Sequence, residues 1–173
     1  QMNTHAIGDS TVKLLIDSYS EVLKNKLDPR WRIEHSQNIT PQDQQRFVDL
    51  KIIPSMQASH AIGDLHFAVD RLGLERIKNA YVWRSLIDQG LIIAGGTDAP
   101  VEIGDPRIEF YAAVTRMDVD GYHGEGWNLD QKITRFEALK MYNSIPSKEI
   151  FDPELLRGFV REIFYYYESE QFE

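Results

Sequence analysis

The chain has no cysteine among its 173 residues, which excludes disulfides and thiolate metal ligands and leaves the redox compartment open. Long apolar runs are missing too, and none approaches the roughly 20 residues that cross a bilayer as a helix. Gln1 to His5 shows no basic region leading into an apolar one, so no signal peptide is read there. Positive charge is scarce: 19 Lys and Arg stand against 27 Asp and Glu, for a formal net charge of −8. This balance predicts no nucleic-acid partner and no anionic membrane surface, since both favour a clustered positive face. The sequence also lacks low-complexity segments, linkers, and any H-x-H or H-E-x-x-H pair that would mark a metal site locally.

What is present is a globular pattern. With 42% hydrophobic residues the chain can bury one real core. Short apolar runs at residues 2–5, 31–35, 52–56 and 91–94 read as strands, and segments of helical periodicity separate them. Ser10 is expected to cap a helix whose face carries Val12, Leu15, Ile16, Tyr19, Val22 and Leu23, ended by Asp28-Pro29. Thr40 and Pro41 open another, and a helix over 80–89 is expected to stop at Gly90. Further helices are predicted over 108–117, over 134–142 with Thr134 and Glu137 as a capping box, and over 152–167. Strands alternating with helices imply a parallel sheet, and four such units are half of an eight-stranded barrel.

His5, His35 and Asp98 each sit where a strand gives way to a loop. Two imidazoles and a carboxylate from successive strand ends suit a divalent metal. The same donor set serves non-haem iron, but the strand–loop–helix context favours a barrel. Strand alternation places Ile33 and His35 on one side and Arg32 with Glu34 on the other, paired beneath the helices. Asp9 is read as a helix cap, Trp31 and Trp83 as packing residues, and His66 and His123 as surface residues. The pentapeptide H-A-I-G-D occurs at 5–9 and at 60–64; its flanks align poorly, so it is read as chance and not as a structural repeat.

Local wording adds a resemblance. T-H-A-I-G-D, R-I-E-H-S-Q, S-M-Q-A-S-H and G-T-D-A-P-V-E follow one another in that order, supported by R-L-G at 71–73, Y-V-W-R-S-L at 81–86 and F-Y-A-A-V at 110–114. This set resembles the amidohydrolase superfamily, most closely its third amidohydrolase family, which includes N-substituted formamide deformylases. The resemblance implies a partial TIM (β/α)8 barrel made of roughly its last four units. It makes His5 and His35 metal ligands, and Asp98 both a metal ligand and the proton shuttle. His60 becomes a substrate contact, and Asp64, at a recurring acidic position, is read as a structural cap. The implied cofactor is a divalent metal, most simply zinc, which brings the pKa of bound water from about 15.7 towards roughly 7. The implied reaction is hydrolysis of carbon–nitrogen bonds, other than peptide bonds, in a small amide-type substrate.

Two family elements have no counterpart in this sequence: the H-x-H pair of the first strand and the metal-bridging lysine or glutamate of the fourth. The expectation is therefore a truncated C-terminal barrel part over 1–142, followed by a divergent helical tail over 143–173, with little activity of its own. The alternative is an inactive fragment that acts only by associating with another chain, a second copy included, through exposed strand edges.

Overall fold

A computed structural model describes residues 1–123 and 127–143. Four strands, β1 (Asn3–Ala6), β2 (Arg32–His35), β3 (Ile53–Met56) and β4 (Ala94–Gly95), form one sheet in the order β1-β2-β3-β4, each pair parallel. Between and after them run α1 (Asp9–Leu23), α2 (Pro41–Leu50), α3 (Ala58–Asp64), α4 (Ala68–Arg76), α5 (Trp83–Asp88), α6 (Pro106–Thr115) and α7 (Arg135–Asn143). Consecutive strands in consecutive places, joined by helical crossovers, are the α/β arrangement of a partial TIM barrel.

The helices form where sequence spacing places apolar residues on one stripe. Val12, Ile16, Tyr19 and Leu23, at intervals of three and four, are the buried face of α1. The Tyr19 hydroxyl donates to Thr4 Oγ1 at 2.6 Å, which ties α1 to β1. In α2, Thr40 Oγ1 accepts from the Asp43 N–H at 3.3 Å and Pro41 fills the first turn, as expected. The capping box of α7 is also present: Thr134 N–H donates to Glu137 Oε2 at 2.8 Å, and Glu137 N–H to Thr134 Oγ1 at 3.3 Å.

Several boundaries differ from the sequence expectation. The helix expected over 80–89 begins only at Trp83, because Tyr81 takes φ 52°, a left-handed conformation that no helix continues through. The helix expected over 108–117 runs over Pro106–Thr115 and ends at Arg116, φ 54°. Arg116 folds back between Trp83 and Trp127, its guanidinium carbon 4.7 and 5.1 Å from their ring centres, and donates to the Tyr81 carbonyl at 2.7 Å. Burial pulls its pKa down to about 9. Neither Ser10 nor Asp9 is the cap of α1. Gly8 holds that position, and Asp9, the first helical residue, accepts from the Ser10 N–H and pairs with Arg76 at 3.1 Å. The fourth strand is Ala94–Gly95, paired with Ser55 and Met56 of β3, and shares only Ala94 with the expected 91–94. The helix expected over 152–167 lies outside the described residues.

The strand faces carry a larger correction. Register pairs His5 with Glu34, and residues paired in a parallel ladder share a face. Arg32 and Glu34 do pair, at 3.1 Å, but on the face of His5 and not beneath the helices. The helix-side face belongs to Ile33 and Ala6, both fully buried. His35 escapes the alternation because it and Ser36 take φ 70° and 47°, outside extended backbone. That turn brings its ring 4.5 Å from the His5 ring, edge to face.

Trp83 is fully buried and Trp31 meets Tyr19 edge-on at 4.9 Å, so both are packing residues. His66, half exposed, lies 3.0 Å from Asp118, and His123 is exposed.

Candidate metal centre

Four side chains gather at the C-terminal ends of the strands. His5 arrives from β1 and His35 from the left-handed turn closing β2. Asp98 comes from the loop after β4, also at positive φ (55°), and His60 from the first turn of α3. Donor atoms of His35, His60 and Asp98 lie within 4.8 Å of one another, a spacing that could hold a metal ion. His5 is outside that set but touches His35 ring to ring. His60 also stacks on His35, with centroids 5.6 Å apart.

Partners around the imidazoles decide which nitrogen is free. His35 Nδ1 lies 3.0 Å from Gln57 Oε1; with that amide oxygen as acceptor, Nδ1 carries the proton and Nε2 keeps its lone pair for a cation. His60 Nε2 is buried without a hydrogen-bond partner, although Asp98 Oδ2 lies at 3.6 Å and Glu102 Oε1 at 3.8 Å. Imidazole nitrogen and carboxylate oxygen converging on one point form a donor set that fits a divalent cation.

The shell behind the centre is built from residues that sequence reasoning did not single out. Glu109, almost fully buried, accepts from the Ala58 and Ser59 N–H groups at 2.8 and 3.1 Å and so holds the start of α3, which carries His60. Tyr142 donates to the same carboxylate at 3.1 Å, and burial beside it pushes the phenol pKa well up. The Tyr142 ring lies so close to Gly95 that an added Cβ would stand 2.5 Å from its Cε1, which is why β4 ends in glycine. Asp64 is not a backbone cap: it accepts from the Tyr81 hydroxyl at 2.7 Å. Gln37, Gln57 and Glu102 each lie inside one of the four sequence motifs, and polar character within a motif was the signal for them. Glu109 lies outside the motifs and had none. Beside the centre, sharing Glu102, is a cavity of about 320 Å³ with Ile62, Ile103, Ile108 and Val119 in its wall.

The pattern of the amidohydrolase family matches residues 1–156. The chain belongs to the amidohydrolase family. That match continues past Tyr142, the end of the barrel part expected from the sequence. YtcJ of Bacillus subtilis (strain 168), which carries the name of an amidohydrolase, is 30% identical over 162 residues, 94% of this chain and 30% of its own length. Protein LONG AFTER FAR-RED 3 of Arabidopsis thaliana is 33% identical over 142 residues, 80% of this chain and 24% of its own. Among solved structures, an uncharacterized metal-dependent hydrolase from Pyrococcus horikoshii OT3 superposes with a TM-score of 0.70 at 30% identity, covering 81% of this chain and 27% of that one. The chain thus spans less than a third of the length of each of these three relatives. His5, His35, His60 and Asp98 all fall within the family match.

Proposed function

We propose that this chain carries part of the active site of a divalent-metal-dependent hydrolase that cleaves non-peptide carbon–nitrogen bonds in small amide-type substrates. The observation behind this reading is that His35 and Asp98 bring donor atoms within 4.8 Å of one another, with the His5 ring against His35 and His60 beside them. His5, His35 and Asp98 are the residues that would hold the cation, zinc being the natural choice for nitrogen and carboxylate donors. When bound, such a cation acidifies water and polarises a carbonyl.

The chain's own residues supply the rest. Asp98 leaves part of its carboxylate open to the site, where it can take a proton from the attacking water and return it to the departing nitrogen. Gln57 holds the His35 ring in one tautomer, and Glu109 fixes the helix that presents His60 to the substrate. The apolar wall of the neighbouring cavity gives the non-reacting part of a substrate a place to lie.

The experiment is zinc binding by the full chain and by His35→Ala, followed by hydrolysis of N-formyl and N-acyl amines. Saturable binding of zinc that His35→Ala abolishes supports the reading. Absence of binding, or binding indifferent to His35, sinks it.

A further inference from the structure

We propose that Asp64, Tyr81 and Gln37 form a positioning chain that keeps the ring proton of His60 on Nε2, which makes His60 a hydrogen-bond donor to the site and not a metal ligand. The use of that donor rests on the hydrolase reading above; the tautomer does not.

The argument runs inward from the far end. Tyr81 has a single hydroxyl proton, and a carboxylate can only accept. With Asp64 Oδ2 at 2.7 Å, that proton points to Asp64. Burial and the facing carboxylate hold the phenol pKa well above its ordinary range, so the proton stays on it. Arg116 grips the Tyr81 carbonyl at 2.7 Å and fixes the residue in place. The Tyr81 oxygen is then free only to accept, and the group in short contact with it is the Gln37 amide nitrogen. The orientation of the Gln37 amide is thereby set, with its NH2 towards Tyr81. The same NH2 faces His60 Nδ1 at 3.5 Å, so Nδ1 is the acceptor.

The other end of the ring reaches the same answer independently. His60 Nε2 looks at Asp98 Oδ2, 3.6 Å away, and Glu102 Oε1, 3.8 Å away, both acceptors. The opposite tautomer would set an N–H against the Gln37 NH2 and a lone pair against two carboxylates. His35 and His60 therefore stack with opposite polarity: His35 offers Nε2 as a lone pair because Gln57 accepts from its Nδ1, and His60 offers Nε2 as an N–H. An N–H held beside Asp98 is placed to donate to a carbonyl oxygen as negative charge grows on it.

Ring nitrogen NMR of the full chain, labelled with ¹⁵N at histidine, freed of metal with a chelator and held at mildly alkaline pH, tests this directly. His60→Ala identifies the His60 signals. The expected result is a dominant Nε2–H pattern for His60 and the reverse, Nδ1–H, for His35. In Gln37→Glu the introduced carboxylate accepts from Nδ1–H and the His60 pattern inverts; in Tyr81→Phe the amide loses its anchor and the pattern becomes mixed. A dominant Nδ1–H form of His60 in the unmodified chain overturns the proposal with no variant needed. A folded Gln37→Glu chain, judged by its amide spectrum, whose pattern is unchanged also overturns it. Zinc uptake by the same samples keeps the two readings apart. Zinc binding without the Nε2–H pattern removes the positioning chain alone, and the pattern without zinc binding removes the metal site alone.

Discussion

The five residues H-A-I-G-D fold one way at 5–9 and another at 60–64. In the first copy the chain leaves β1 through Ala6 and Ile7, Gly8 caps α1, and Asp9 is its first helical residue. In the second copy all five residues lie inside α3. Five identical side chains therefore do not choose between strand and helix; their neighbours do. Asn3 to Ala6 are drawn into a parallel ladder with β2, whereas Ala58 and Ser59 have their N–H groups held by a buried glutamate from α6. Both histidines nevertheless reach the same centre, one from a strand end and one from a first helical turn. The aspartates part company: Asp9 meets Arg76 at the surface, and Asp64 meets the buried Tyr81.

The largest expected break in this comparison is in metal affinity. His5→Ala should weaken zinc binding by at least about 100-fold, close to 2.7 kcal/mol. His60→Ala should change it by no more than about threefold, because its Nε2 faces carboxylates as an N–H. Equal losses by equilibrium dialysis would mean that the two histidines are equivalent ligands.

An arginine–carboxylate pair outside both copies gives a scale for the aspartates. Arg84 donates to Glu137 at 2.6 and 3.0 Å, and this bond, ahead of the Thr134 contacts, lowers the Glu137 pKa from 4.5 to about 2. A depressed carboxylate stabilises the fold above its unfolded pKa and loses that contribution as pH falls through the folded value. Stability should thus drop between about pH 4.5 and about pH 2, by about 2 kcal/mol after allowance for solvent screening. Urea titrations of the parent and Glu137→Gln over this range check it, and parallel curves would refute the pair's role.

Asp64→Ala comes next. It leaves the buried Tyr81 hydroxyl without its acceptor and should destabilise by about 1–2 kcal/mol. Asp9→Ala removes only a partly exposed pair with Arg76 and should lose less than about 1 kcal/mol. Urea midpoints that reverse this order would contradict the assignment of the two aspartates.

The smallest effect differs in sign. Gly63 lies inside α3 with open space around a would-be Cβ, so Gly63→Ala should stabilise by about 0.5–1 kcal/mol. Gly8 caps α1, a position where alanine is worse than glycine, so Gly8→Ala should destabilise by a few tenths of a kcal/mol, roughly. Thermal melts showing the same sign for both would erase the distinction between the copies.

Much of this was legible in the sequence where local physics governs. Thr40-Pro41 and the Thr134–Glu137 box mark helix starts through contacts within four residues, and both form as read. Short apolar runs marked the first three strands, while the run at 91–94 meets β4 only at Ala94. The period-two rule misplaced Arg32 and Glu34 because it assumes extended backbone up to His35, and the backbone turns left-handed there. His5, His35 and Asp98 were legible as donor types at strand ends, and His60 only through the resemblance. Gln57 and Gln37 showed only as polar residues inside motifs and Glu109 not at all, since an amide or carboxylate gains its meaning from the atom it faces across the fold.

The sequence by itself determined the element order, the parallel α/β class, the family and the identity of the donor side chains, because these follow from periodicity, composition and ordered motifs. Tertiary structure alone decided which face Arg32 and Glu34 occupy, why one pentapeptide takes two conformations, and which nitrogen of each imidazole is free. The physical reason is one of range: propensity and capping act over a few residues along the chain. Hydrogen-bond direction and burial are set by groups 22 to 51 residues away that meet only when the sheet closes beside its helices.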